Sequence, residues 1–477
     1  MRILHTADWH FGKTLEGRDR IAEQDAFVDE LIAICKNEAV DLVLMAGDVY
    51  QTVNPSAEAE RLFYRALDGL SADGTRGVVV IAGNHDHAER INAARPLADK
   101  LGIVLMGFPK DALAATAPAE GRVQRVAAGA GYVELKIPGC AEHAVISTVP
   151  YPSEARLNEV LAKTLDEQEL QSHYSERIGE WFRSLSGHFR PDTVNLAVSH
   201  VYVQGGDESE SEIQIQIGGA YAVHPDAFPE TAQYVALGHL HRPQNVKGAK
   251  APTRYAGSPL SYSFSEAGQT KSVTIVDAFP GRQASFREVQ LKSGKPLVRW
   301  NATGGIAQVE EWVAEGRDEN AWIDLAVHVK TGLDLEHIHH LRDLHPGFVQ
   351  IHPVLPVSAN KTGNGTAAAA VGLPIDEVFR KFFAERTKTQ ADEEIVELFL
   401  RLVTETDAES AAPDEQSADE QGADGQGADG QGADGQGADG QGADGQGADG
   451  QGADGQGADE QSADEQSAQD DGGEVGA

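Results

Sequence analysis

Five short apolar runs, each closing on a residue type that binds metal, constrain this chain more than any other feature. They are Arg2 to Thr6, Asp41 to Ala46, Gly77 to Ala82, Val194 to Val198 and Gln233 to Leu237, and they are rich in Val, Ile and Leu. Runs of that length and makeup fit strands covered on both faces. Helical spacing separates the first three: Phe27, Leu31, Ile34 and Cys35 recur on one face, and Phe63, Ala66, Leu67 and Leu70 follow the Asn54-Pro55-Ser56 start signal. Strand, helix, strand at this spacing predicts a layered α/β domain with right-handed crossovers.

The first run leads into Asp8-Trp9-His10, the second into Gly47-Asp48 and the third into Gly83-Asn84-His85-Asp86. The fourth ends at Ser199-His200 and the fifth at Gly238-His239-Leu240-His241. In an open α/β sheet, ligands bind beyond the carboxyl ends of the strands. All five endings are therefore expected on one rim. A single strand-end Asp is more often a turn or helix cap, but five such endings in order are not explained that way.

Neither of the two cysteines, Cys35 and Cys140, lies in the set. That disfavours structural zinc, which recruits thiolates, and also a disulfide framework. Imidazole with carboxylate and amide oxygen suits octahedral, borderline-hard ions such as Mn²⁺ or Fe²⁺. Asp8, His10, Asp48, Asn84, His200, His239 and His241 exceed one ion's needs but suit two ions sharing a carboxylate. Two such ions about 3.5–4 Å apart can clamp both oxygens of an in-line phosphoryl displacement. The chemistry expected is phosphoester hydrolysis.

The ordered set DxH, GD, GNHD, SH and GHxH resembles the calcineurin-like metallophosphoesterase superfamily. The strings MRILHTADWHFGK, AGDVY, AGNHD, ALGHLHRPQ and RYAGSPLSYSF resemble, within it, the SbcD family, the nuclease subunits of bacterial SbcC–SbcD DNA-repair complexes. The likeness is specific over Met1 to Asp277 and looser to about Val403. It implies a four-layered α/β/β/α core with a smaller α/β capping domain. It also implies that Asp8, His10, Asp48 and His241 hold one metal, and Asp48, Asn84, His200 and His239 the other, with Mn²⁺ the expected ion. His85 matches the catalytic histidine, and Asp86 is expected to orient it by accepting its other ring proton. Some relatives carry a histidine where this chain has Gln51, so the phosphate contact of that position is not carried over.

The activity so implied is nuclease action on DNA ends and hairpins, in repair, recombination and replication. An SbcC-type coiled-coil ATPase is the implied partner, in a two-plus-two heterotetramer, with ATP used by the partner and not by this chain. A stand-alone enzyme for small phosphate esters would use the same seven ligands. A DNA-bridging subunit that does not cut would have no need of His85.

The net charge of −36 is an objection to DNA binding. From Thr406 onward lie twenty of the 75 acids and none of the 39 bases, which leaves the body at −16. Thr231 to Ser265 holds no acid and carries Arg242, Lys247, Lys250 and Arg254 around GHLH. It reads either as a positive island at the metal rim or as a solvated basic loop.

The domain plan expected is a phosphoesterase domain over 1–285, a capping domain over 286–356, a linker over 357–373, a helical segment over 374–404 and a disordered GADGQ-repeat tail over 405–477. The Gly/Ala-rich stretch from Phe108 to Ile146 reads as surface hairpins, and Trp181 and Phe182 as core. His337, His339, His340 and His345 read as surface histidines. In the helical segment Phe379, Phe382, Phe383 and Phe399 belong to two apolar stripes. By pattern these can pack on their own domain; by resemblance they dock the ATPase partner. The chain start lacks the apolar run of a signal peptide and no stretch is long enough to cross a bilayer, so a cytoplasmic protein is expected.

Overall fold

The computed structural model describes residues 1–153, 156, 167–212, 222–330, 332–355 and isolated positions from 379 to 396. The first sheet has the order β13-β12-β1-β2-β3-β4. Its parallel strands are β1 (Arg2–Thr6), β2 (Leu42–Ala46), β3 (Gly77–Ile81) and β4 (Ile103–Met106), joined antiparallel by β12 (Ser272–Phe279) and β13 (Arg282–Gln290). Within β2 the side chains alternate. Val43 and Met45 pack outward against Phe27 and Leu31 of α1 (Ile21–Asn37) and Leu62, Phe63 and Leu67 of α2 (Ala57–Ser71). Leu42, Leu44 and Ala46 point inward. That period of two is why each run is apolar throughout.

The inward residues meet a second sheet of order β10-β11-β9-β8-β7-β6-β5. Its strands are β5 (Gln124–Gly129), β6 (Tyr132–Lys136), β7 (Ala144–Val149), β8 (Val194–His200), β9 (Tyr234–Gly238), β10 (Gln244–Asn245) and β11 (Thr253–Tyr255). Ile146, Leu196, Val198 and Tyr234 fill the space between the sheets. On the far face, Ile178 and Phe182 of α3 (Glu167–Leu185) cover Ala197, Val235 and Leu237, with Trp181 partly buried beside them. The order helix, sheet, sheet, helix is the four-layered arrangement expected. Each fully buried aliphatic side chain here contributes about 1.5–3 kcal/mol. The stretch read as surface hairpins differs: β7 is buried along its whole length between β6 and β8. The glycines and alanines before it conceal it in the sequence.

A third, parallel sheet carries β14 (Leu297–Ala302), β15 (Trp322–His328) and β16 (Phe348–Val354), with α4 (Ile306–Ala314) and α5 (Leu335–Leu344) around the core residues Trp300, Val309 and Leu341. It is tied to the first domain by Trp322 Nε1–H donating to Glu23 (2.9 Å) and Arg18 donating to the Phe348 carbonyl (3.1 Å). Because β13 runs to Gln290 in the first sheet, that sheet extends past residue 285. His345 is buried beside Trp300 and Phe348, not on the surface, whereas His337 and His340 are exposed and pair with Asp334 and Glu310.

Contacts divide the chain after Ala391. Beyond it Asp392, Ile395 and Val396 are described, with the Asp392 carboxylate accepting the Ile395 N–H at 3.0 Å. The linker and the repeat tail lie outside the described residues, as do Phe382 and Phe399. Phe379 and Phe383 pack with ring centroids 5.8 Å apart. Among the described residues no helix is long and apolar enough to cross a membrane.

Candidate metal centre

The carboxyl ends of β1, β2, β3, β8 and β9 bring all seven expected ligands together, every one of them buried except Asn84, which is partly so. Asp8, His10, Asp48 and His239 adopt positive φ (54°, 47°, 57° and 110°). Non-glycine residues seldom do so, and Asp, Asn and His do so most readily. The turns are pinned to one another: Asp8 N–H donates to the Gly47 carbonyl and His10 N–H to that of Asp48, both at 3.0 Å. Beneath them Trp9 is fully buried, donates to Thr6 Oγ1 at 2.9 Å and packs on Phe11 and Phe27. Two of the glycines that precede ligands have a steric reason. A Cβ on Gly83 would collide with Asp48, and one on Gly238 with the Ala46 carbonyl.

Two clusters meet at one carboxylate. In the first, His10 Nε2 faces His241 Nε2 at 3.0 Å. In the second, Asn84 Oδ1 lies 2.9 Å from His200 Nε2 and 3.2 Å from His239 Nδ1. Asp48 Oδ2 stands between, 3.6 Å from His10 Nε2 and 3.4 Å from His200 Nε2. His200 Nδ1–H donates to the Ala46 carbonyl (2.8 Å), which directs its other nitrogen inward.

The donor set fits divalent cations. Asp8 Oδ2 and His10 Nδ1 are buried with no hydrogen-bond partner, a costly arrangement unless a ligand completes it. Three His/Asp groupings here have ligand atoms close enough for one ion each: Asp8, His10 and His241; His10, Asp48 and His85; Asp8, Asp48 and His200. Burial pushes His239 down to about 3 and His241 to about 4 and holds His10 well below its usual range, so these imidazoles are neutral at pH 7 with a lone pair available. Burial alone would lower His200 too, but Asp48 raises it to about 9. Burial likewise opposes ionisation of Asp48, and His200 and His10 outweigh it, holding that carboxyl well below the carboxylate range.

His85 is adjacent to Asn84 yet turned elsewhere. Its Nδ1–H donates to the Gln51 carbonyl (2.8 Å), its backbone N–H donates to Asp48 Oδ1 (2.9 Å), and its Nε2 lies 4.0 Å from Asp48 Oδ2. Position 51 thus orients His85 through its main chain, which any residue type supplies. The expectation for Asp86 is corrected. Its carboxylate accepts the backbone N–H groups of Val49 (3.1 Å), Tyr50 (2.9 Å) and Gly83 (2.8 Å) and does not take the ring proton of His85. Asp86 locks the second and third ligand loops together. Replacing it with Ala strands three buried donors and should cost on the order of 3 kcal/mol, read by denaturant unfolding of the metal-free protein. A normal unfolding midpoint would refute this role.

The basic island is also corrected. Because β11 runs parallel to β9, the residues before Thr253 lie at the opposite rim from His239 and His241. Lys247 and Lys250 are there, Lys250 paired with Glu230 at 3.0 Å. Arg254 is buried and bound to Thr274, Asn245 and Glu288. Of the four, Arg242 remains beside His241, exposed and 3.5 Å from Asp207. Two cations that composition did not single out stand closer. Lys13 Nζ donates to the Ser211 carbonyl at 2.8 Å beside the ring of Tyr262. Arg156 donates to the carbonyls of Gly83 (2.7 Å) and Asp86 (2.5 Å), clamping the third ligand loop. The position of Lys13 within HFGK, three residues after a ligand, is the one signal that marks it.

Residues 1–243 match the calcineurin-like phosphoesterase family. The chain is 49% identical over 412 residues to the SbcD subunit of nuclease SbcCD from Bacillus subtilis (strain 168), covering 86% of this chain and 100% of that relative. It is 36% identical to the same subunit from Rhodobacter capsulatus (64% of this chain, 72% of that one). To that of Escherichia coli (strain K12) it is 30% identical (69% and 78%).

Proposed function

The chain belongs to the calcineurin-like phosphoesterases, in the family of the SbcD nuclease subunits, and from that premise we propose that it hydrolyses DNA phosphodiester bonds with two Mn²⁺ ions, as an exonuclease on double-stranded ends and an endonuclease on hairpins and single strands. The observation that carries the two-ion reading is Asp48 Oδ2, which faces a His10–His241 cluster on one side and an Asn84–His200 cluster on the other. Asp8, His10, Asp48 and His241 would hold one ion, and Asp48, Asn84, His200 and His239 the other. When bound, the ions stabilise charge on the phosphoryl group and lower the pKa of the attacking water. Oxygen and imidazole donors without thiolate favour Mn²⁺ over softer ions.

His85 is the general acid in this reading. With Nδ1–H held by the Gln51 carbonyl, its Nε2 edge is presented to the site, where it can protonate or stabilise the leaving oxygen. Asp86 acts at one remove, by fixing the loops that carry Asp48 and His85. Lys13, Arg156 and Arg242 set positive charge about the rim of an otherwise acidic protein and, with the cations, attract the DNA backbone.

The relatives' name supports the partner reading: an SbcC-type ATPase that spends ATP, bound through the segment 374–404 in a two-plus-two assembly in the cytoplasm, for DNA repair, recombination and replication. A side-by-side assay tests the whole: labelled hairpin DNA against a small chromogenic phosphodiester, with Mn²⁺, and with and without SbcC and ATP. Cleavage of the hairpin, accelerated or redirected by SbcC, is the expected result. Hydrolysis of the small ester alone, with SbcC present, would leave a small-substrate phosphodiesterase.

A further inference from the structure

Outside the ligands themselves, one buried hydrogen-bond chain ends on a ligand. His241 Nδ1 lies 2.5 Å from Ser211 Oγ, and Ser211 Oγ lies 2.6 Å from Glu266 Oε1. Glu266 is itself 3.9 Å from His241 Nδ1, beyond hydrogen-bonding distance, so the serine hydroxyl is the bridge. The other oxygen of Glu266 pairs with the Lys271 ammonium, which also donates to the His241 carbonyl and to Ser258 Oγ, both at 3.0 Å. The same short segment grips the main chain of the ligand loop, with Glu212 Oε1 accepting the His241 N–H at 2.6 Å and Lys13 donating to the Ser211 carbonyl.

Counting donors fixes the direction of this chain. A carboxylate paired with an ammonium only accepts, so the single proton of Ser211 goes to Glu266. Ser211 Oγ can then only accept from His241, and the proton must sit on Nδ1. That leaves Nε2, the nitrogen facing His10, with a bare lone pair.

We propose that Ser211 and Glu266 are positioning residues that hold His241 in the Nδ1–H tautomer able to bind metal, and that the acidic segment Asp207 to Glu212 is thereby a working part of the metal centre. The inference rests on the two-metal reading above. Partners of this kind, which orient a ligating histidine through its other nitrogen, typically change metal affinity by about 10–100-fold.

Calorimetric titration of the full chain with Mn²⁺ tests it. The unmodified protein should show two binding steps. Ser211→Ala should weaken one of them by about 10–100-fold, leaving the other within about twofold, and Ser211→Thr should restore it by returning the hydroxyl. Glu266→Gln keeps the shape but offers an amide donor, which turns the serine proton toward His241 and selects the wrong tautomer. It should weaken the same step, and should add little in the Ser211→Ala background, because both changes break one chain. Unchanged binding in Ser211→Ala, equal weakening of both steps, or failure of Thr to restore the step would each overturn the proposal. No Mn²⁺ uptake by the unmodified protein would instead overturn the two-metal reading.

Discussion

His85→Ala should retain both metals and lose about 10²–10⁴-fold in turnover, the usual share of a general acid. Three contacts separate its role from that of its neighbour. Asn84 turns its side-chain oxygen to His200 and His239, while the His85 ring is anchored to the Gln51 carbonyl. The backbone bond from His85 N–H to Asp48 Oδ1 survives the substitution, because it uses no side-chain atom of His85. The ligand loop should therefore hold its shape. The site's close packing sets the scale of disturbance: the ring stands edge-on to His10 with centroids 4.7 Å apart, so alanine opens a small gap there and removes no ligand of either cluster. Metal analysis by mass spectrometry beside nuclease rates decides the matter. If His85→Ala loses metal as fully as a ligand variant, His85 is a ligand and the division of roles is wrong.

Asp48→Asn should act through metal content itself. The carboxylate is buried and is the one expected ligand whose oxygen faces both clusters. Neutralising it leaves two divalent cations facing each other without the shared negative charge, so occupancy of both positions should fall and activity should drop at least as far as in the His85 variant. The metal-free protein should weaken as well. Asp48 is the counter-ion that raises His200 to about 9, and removing one partner of a buried pair costs about 3–5 kcal/mol. Metal stoichiometry and an unfolding curve on the same sample read both effects. Two tightly held ions in Asp48→Asn would end the shared-ligand reading.

The α/β/β/α core and the identity of the candidate ligands were legible in the sequence because both are local signals. A strand buried on two faces must be apolar throughout, and its first residues beyond the sheet carry the chemistry. That is why five runs and five endings, read in order, lead to the same rim that the structure displays. The strand β7 escaped for the converse reason: Ala144 to Val149 follows a glycine-rich stretch whose composition suggests turns, and only its place between β6 and β8 makes it core.

What surrounds the ligands was decided by the tertiary structure. The donors that Asp86 satisfies belong partly to Val49 and Tyr50, on another loop, and nothing about an Asp beside a His distinguishes that duty from orienting the imidazole. Ser211 and Glu266 reach His241 from segments 30 residues before it and 25 after it. The basic stretch misled because composition reports charge and not direction. Its lysines precede a strand parallel to β9, so they lie at the opposite rim, while Arg254 points into the sheet and is bound there. The residue types that can bind a metal are written one strand end at a time. The partners that orient them depend on strand direction and on contacts between distant segments, which only the folded chain fixes.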